Sequence, residues 1–266
     1  MTSAAVDTKE LEAKVKDMYR HVANEPQGKY HFELGRPLAE RLGYPADVLD
    51  RIPASAIESF AGVGYFFDLA ELKDGESVVD LGSGSGMDVF FAAERVGPSG
   101  RVVGIDFTVE QLEKAREIAD EAGYSQVELR EGRIEDLPVE DASCDCVISN
   151  GVINLAPEKD RVFAEAARVL RPGGRLAIAD IVSEQQMKES IVCDADLWAS
   201  CIGGAAQQDA YRHAIEAAGM RVEVIRRNRY EFISDQARNA SAKYGVKSVS
   251  VLAVKPGQTA RAATHE

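Results

Sequence analysis

Residues 78–86 read Val-Val-Asp-Leu-Gly-Ser-Gly-Ser-Gly, an apolar run that breaks into three glycines at alternate positions. Val78 and Val79 predict a buried parallel strand, which is apolar on both faces. Gly82, Gly84 and Gly86 allow a tight turn and leave room for a ligand against the main chain. The segment 87–95 has helical spacing, so the loop opens onto a helix N-terminus with unpaired N–H donors. Arg101-Val-Val-Gly-Ile-Asp106 predicts a second strand ending in an acid. Asp106 falls about twenty residues past the loop, where a carboxylate meets a ribose diol in a nucleotide-binding βαβ unit. The loop is not the dinucleotide pattern, because its acid, Asp80, sits at the end of the first strand. An acid there repels a pyrophosphate and suits a cationic ligand or an ammonium group.

From 76 to 182 the strand and helix patterns alternate. Strands are predicted near 77–81, 101–105, 126–130, 144–149 and 174–181, and helices near 86–96, 109–122 and 158–170. Parallel strands need helical crossovers, so this order predicts a doubly wound parallel sheet. Thr108 is placed to cap the second helix with Gln111 completing a capping box, and Gly123 closes it. Arg171-Pro-Gly-Gly174 predicts a turn into the fifth strand. A helix near 207–218 then leads to two last strands, 222–232 and 248–255, joined by a polar helical link. Residues 8–72 read mainly as helix, with Leu11, Val15 and Met18 on one face, and 62–67 form an irregular approach to the core.

The 266 residues are enough for a full core in one large domain, or in a domain with a cap. A net charge of −13 excludes nucleic acid and anionic membrane surfaces as expected partners, since both need clustered Lys and Arg. No apolar run approaches the ~20 residues of a membrane span, and no export leader is visible. Four cysteines in a chain this long do not form a disulfide framework, so a reducing cytoplasm is the expected location. The oligomeric state is left open between monomer and homodimer.

The loop from Asp80 to Gly86, with Asp106, resembles the first motif of class I S-adenosylmethionine-dependent methyltransferases. Three further stretches narrow this: Ser149-Asn-Gly-Val-Ile-Asn-Leu155, Gly132-Arg-Ile-Glu-Asp-Leu-Pro138, and the Leu-Trp-x-x-Cys-x-x-Gly-Ala pattern at 197–205. Together they resemble the bacterial arsenite methyltransferase group, over about residues 44–225. The resemblance implies a Rossmann-like α/β fold with a mostly parallel seven-stranded sheet. Residues 1–75 become a helical N-terminal cap and substrate lid, 76–255 the methyltransferase domain and 256–266 a flexible tail. It implies S-adenosylmethionine as cofactor, its methionine and sugar wrapped by Asp80, Gly82, Ser83, Gly84 and Gly86, with Asp106 on the ribose hydroxyls. Phe107, Gln111, Arg133, Ile134, Glu135 and Asn150 complete the implied site. Many relatives carry an acid for the adenine amino group where this chain has Arg133, leaving Glu135 and Asp136 as candidates and a solvated acidic loop as the alternative.

The departures bear on the methyl acceptor. Trivalent arsenic is soft and binds thiolates, and the resemblance places three cysteines for it. Gly151 and Val63 stand at two of those positions, and Cys201 alone matches. Cys144 and Cys146 alternate along a strand, which assigns one to the core, and the Cys193–Cys201 spacing is no recognised metal signature. Tyr30, His31, Phe32, Tyr65, Phe66 and Phe67 suit an organic small-molecule acceptor held by aromatic walls. Gly151, Asn154, Trp198 and Cys201 are the expected acceptor-binding residues. An acceptor that must lose a proton needs a base. His31 is the first candidate, followed by Tyr30, Tyr65 and Asp180, with a structural histidine as the alternative. The alternatives to an organic-acceptor enzyme are arsenite methylation through Cys201, a silent cofactor-binding protein and, disfavoured by Asp80, a nucleotide-dependent oxidoreductase.

Overall fold

The computed structural model describes residues 6–192, 194, 197, 198 and 202–257. Five helices come first: α1 (Thr8–Asn24), α2 (Gly35–Leu42), α3 (Ala46–Leu49), α4 (Ala54–Glu58) and α5 (Phe67–Ala70). An α/β unit follows, with β1 (Ser77–Leu81), α6 (Met87–Val96), β2 (Arg101–Asp106), α7 (Val109–Ala122), β3 (Val127–Glu131), β4 (Cys144–Asn150), α8 (Lys159–Val169) and β5 (Leu170–Ser183). After α9 (Glu189–Val192) come β6 (Ala206–Gln207), α10 (Gln208–Ala217), β7 (Arg221–Arg227), α11 (Asp235–Tyr244) and β8 (Lys247–Val254). The sheet order is β3–β2–β1–β4–β5–β8–β7, with β1 to β5 parallel and β8 antiparallel to both neighbours. The two residues of β6 pair with the end of β5, an eighth strand beyond the seven expected.

The apolar strands are explained by packing on both sheet faces. Val78 and Val102 join a core layer with α2 to α7, while Val79, Leu81, Val103 and Ile105 face the layer built by α8 and α10. Cys144 and Cys146 fall in opposite layers, because pairing with β5 shifts register between them. Both are buried, not one, and burial pushes both thiols up to about 12. That same shift corrects the expected turn at 171–174, which lies within β5 as a bulge with Gly173 at φ 85°. β7 stops at Arg227, short of the expected 232. There the Asn228 side chain leaves the ladder to donate to Ser248 Oγ at 2.9 Å and accept from Ser250 Oγ at 2.9 Å.

The capping box at α7 does not form. Thr108 stands at the N-cap without a side-chain bond, and its N–H donates to Asp106 Oδ1 at 2.8 Å. The buried carboxylate supplies the acceptor that a cap provides elsewhere, which leaves Gln111 free to turn inward.

Phe91 of α6 locks the early helices to the sheet. Its ring is fully buried, with Phe67 at 4.1 Å and Tyr44 at 5.4 Å between centroids. Phe91→Ala is expected to lower unfolding stability by about 3–5 kcal/mol in urea titrations. A denaturation midpoint equal to wild type would contradict this packing.

Candidate active site

A cleft of about 1150 Å³, including its open mouth, lies across the carboxyl ends of β1, β2 and β4. The glycine loop after β1 forms one wall, with Gly82, Gly84 and Gly86 at φ 71°, 53° and 93°. These left-handed angles favour glycine, and a Cβ on Gly84 would project towards Gln111 Oε1, 3.8 Å away. Asp106 is fixed by two backbone donors, Gly84 N–H at 2.9 Å and Thr108 N–H at 2.8 Å. Gln111 accepts from Ser85 Oγ and donates to the Tyr19 carbonyl of α1 at 2.8 Å. Helix α1 crosses the mouth, where Glu12 accepts from Arg133 at 2.5 Å and the Lys16 ammonium lies 5.0 Å from the centre of the Phe107 ring.

Four buried carboxylates line this cleft, Glu135 and the three beside the glycine loop, Asp80, Asp88 and Asp106. Desolvation raises the three aspartates, and each of the other two raises Asp80 further. Asp88 is pushed up to about 6, although Tyr44 Oη donates to it at 2.6 Å and Asn150 Nδ2 at 3.0 Å. Asp80, 2% exposed, receives no hydrogen bond from the described residues. The hydroxyl of Ser83 is likewise buried without a partner among the described residues. Buried carboxyl groups short of counter-charge, and a buried hydroxyl without a partner, suit a ligand that carries positive charge and hydrogen-bonding groups.

Asn150 closes the other side. Its Oδ1 accepts from Val63 N–H at 2.7 Å and Gly64 N–H at 3.3 Å, while Nδ2 donates to Gly64 O, Tyr44 Oη and Asp88. Ser248 Oγ holds the Val63 carbonyl at 2.6 Å and Ser250 Oγ the Tyr65 carbonyl at 3.0 Å. The irregular approach is therefore a strap pinned to the sheet, and its Phe60, Ala61 and Gly62 line the cleft.

Of the residues expected to hold the cofactor, the cleft brings together Asp80, Gly82, Ser83, Gly84, Asp106, Phe107, Gln111, Arg133, Ile134, Glu135 and Asn150. Gly86 sits behind them as the N-cap of α6. Gly151, Asn154 and Trp198 are not among the residues that line the cleft, though Val152, Leu155, Ala156 and Pro157 are, and Cys201 lies outside the described residues. None of the four expected proton acceptors lines the cleft. Tyr30 donates to the Glu25 carbonyl, His31 packs edge-on against Phe32, and Tyr65 packs against Tyr44. Asp180 is on the opposite sheet face, fully buried, accepting from Tyr211 Oη at 2.6 Å and pushed up to about 6 by burial. Sequence reasoning missed Asp88, Thr108, the strap residues 60–62 and the α1 residues Thr8, Leu11, Glu12, Val15 and Tyr19. Only the apolar stripe of α1 signalled a covered face.

Residues 72–219 match a family model described as a methyltransferase domain. The chain belongs to that methyltransferase-domain family. An arsenite methyltransferase of Halobacterium salinarum is 41% identical over 222 residues, covering 83% of this chain and 56% of its own length. The chain thus spans little more than half of that curated relative. A nocamycin O-methyltransferase of Saccharothrix syringae is 35% identical over 147 residues, covering 53% of this chain and 52% of that protein. Among solved structures, an arsenic(III) S-adenosylmethionine methyltransferase from Chlamydomonas reinhardtii superposes with a TM-score of 0.66 at 30% identity. That match covers 79% of this chain and 72% of the other. The fold is that of class I S-adenosylmethionine-dependent methyltransferases.

The cleft fits that cofactor on its own chemistry. The ligand carries a sulfonium, an ammonium and a ribose diol, matching uncompensated carboxylates and a carboxylate held rigid at the end of β2. Asp106→Ala is expected to weaken S-adenosylhomocysteine binding by about 1.5–3 kcal/mol per lost charge-assisted hydrogen bond, read by calorimetry. Unchanged affinity would remove Asp106 from the site. Cation binding favours ionised carboxylates, and Asp80, Asp88 and Asp106 all hold their protons more readily than exposed carboxylates, so affinity for S-adenosylmethionine is expected to fall as pH drops through their titration, which for Asp88 lies at about 6. For one linked proton the fall approaches ~tenfold per pH unit. A flat profile between neutrality and pH 5 would contradict the carboxylate assignment.

Proposed function

We propose that this chain transfers a methyl group from S-adenosylmethionine to an organic small molecule. When bound, the cofactor supplies a methyl carbon activated for displacement by the adjoining sulfonium. The residues of the chain then have to position, enclose and keep out water. The glycine loop and Asp106 hold the nucleoside end, and Asp80 is left for a cation. The strap, α1 and the 152–157 wall enclose the space beyond with Phe60, Tyr19, Leu11, Val15 and Leu155, an apolar lining with aromatic edges. For an acceptor that has a proton to lose, Asp88 is a cleft carboxylate of raised proton affinity, while Asp80, raised as well, is kept for the cation.

The observation that carries the organic acceptor is the contact between Gly151 and Val63. A Cβ built on Gly151 would lie 3.1 Å from Val63 Cγ1, so the two positions at which the resemblance places thiols adjoin in space. Here they offer a valine side chain and bare backbone, neither of which ligates a soft ion. Cys144 and Cys146 are sealed in the core and cannot substitute. The names of the relatives favour a second reading, arsenite methylation, which would rest on Cys201.

Release of S-adenosylhomocysteine in the presence of a panel of amines, phenols, carbon acids and arsenite separates these readings. Methylated organic product is expected, with arsenite adding nothing above the blank. Arsenite-dependent product that disappears in Cys201→Ser would overturn the organic reading. Tight cofactor binding with no product from any acceptor would instead make the chain a cofactor-binding protein.

A further inference from the structure

Lys159, the first residue of α8, has a half-buried side chain that does not line the cleft. Its ammonium donates to the carbonyls of Asn154 at 3.2 Å and Ala156 at 2.8 Å, tying together the turn whose outer residues Leu155, Ala156 and Pro157 do line it. The same nitrogen lies 4.6 Å from the centre of the Trp198 ring. Trp198 is held on several other sides. Its indole N–H donates to the Val192 carbonyl. The backbone at 203 and 204 runs so close that a Cβ there would reach ring atoms at 2.3 and 2.7 Å. The ring shares a small apolar cluster with Leu155 and with Val6, Leu11 and Val15 at the start of the chain and on α1. One ammonium therefore stands between the 154–157 wall and the residue on which α1 rests.

We propose that Lys159 is a positioning residue, whose ammonium sets the 154–157 wall and, through the Trp198 ring, the seat of α1 over the cleft. The warrant is a contiguous set of contacts. Two charge-assisted hydrogen bonds fix the wall, a cation–π contact fixes the ring, and apolar packing fixes the helix that carries Glu12 and Tyr19 into the cleft. Asp180 on β5, Glu135 after β3 and Asp160 on α8 itself are the acids whose charge acts on the ammonium. They oppose the desolvation that brings Lys159 down to about 8, so the contact weakens as pH rises past that value. The amide of Asn154, oriented with its NH2 towards acceptors, donates to Asp180 at 2.9 Å and to Gly151 O at 3.0 Å. Asp180 thus acts on the same turn from β5.

Trp198 is the only tryptophan in the chain, so its emission reports this contact directly. The consequence for binding rests on the reading of the cleft given above, and the test separates the two. Full-length wild type, Lys159→Met and Lys159→Arg are titrated from about pH 7 to about pH 9 by fluorescence, and with S-adenosylhomocysteine by calorimetry at neutral pH. Wild-type emission is expected to change with a midpoint near 8, while both variants stay flat. Lys159→Met is expected to weaken binding roughly three- to tenfold, the size of an indirect coupling, and Lys159→Arg to restore most of it. A wild-type emission without that step, or equal binding by wild type and Lys159→Met, overturns the proposal. Failure of wild type to bind S-adenosylhomocysteine would sink the cleft reading and the binding consequence together.

Discussion

Burial of three carboxylates around one glycine loop is the constraint on which the rest of the structure turns. A charge removed from water without a counter-charge is costly, and a fold retains such groups where something else compensates them. Asp106 is compensated in part by the N–H groups of Gly84 and Thr108, and Asp88 by Tyr44 and Asn150. Asp80 has only its like-charged neighbours. The imbalance explains why the cleft suits a cationic nucleoside and why an anionic pyrophosphate would meet repulsion there.

The enclosure of that charge comes from segments far apart in the chain. Asn150 at the end of β4 gathers the strap, Tyr44 and Asp88 on one amide, so a single side chain ties the early helices to the glycine-loop helix. On the opposite side α1 is anchored to Arg133, Phe107, Gln111 and Glu110, three of which line the cleft. Helix α1 therefore rests on the surfaces that would meet the cofactor. An arrangement of this kind favours enclosure of a small acceptor away from water, which is what methyl transfer needs from its protein.

The sheet and the loop were legible because their signals are local. Val78 and Val79 are apolar in sequence because both faces of β1 are covered, and Asp106 ends its strand within sight of the glycines. The cleft walls were not legible, because each depends on a partner remote in sequence. Asp88 reads as an ordinary first-turn acid until Tyr44 and Asn150, 44 and 62 residues away, enclose it. Gln111 reads as a cap until Asp106 takes over that duty. The aromatic residues around 30–32 and 65–67 suggested an acceptor wall, yet their rings pack on one another, with Tyr30 at 5.7 Å from Phe32 and Tyr44 at 5.0 Å from Tyr65. Composition alone cannot distinguish aromatic groups that build a pocket from those that fill a core.

The most direct measurement is a crystal structure of the chain grown with saturating S-adenosylhomocysteine. The account predicts the nucleoside across the ends of β1 and β2, its ribose hydroxyls on the Asp106 carboxylate and its ammonium facing Asp80. Density for the nucleoside elsewhere, or an empty cleft in crystals that contain the ligand in excess, would contradict it.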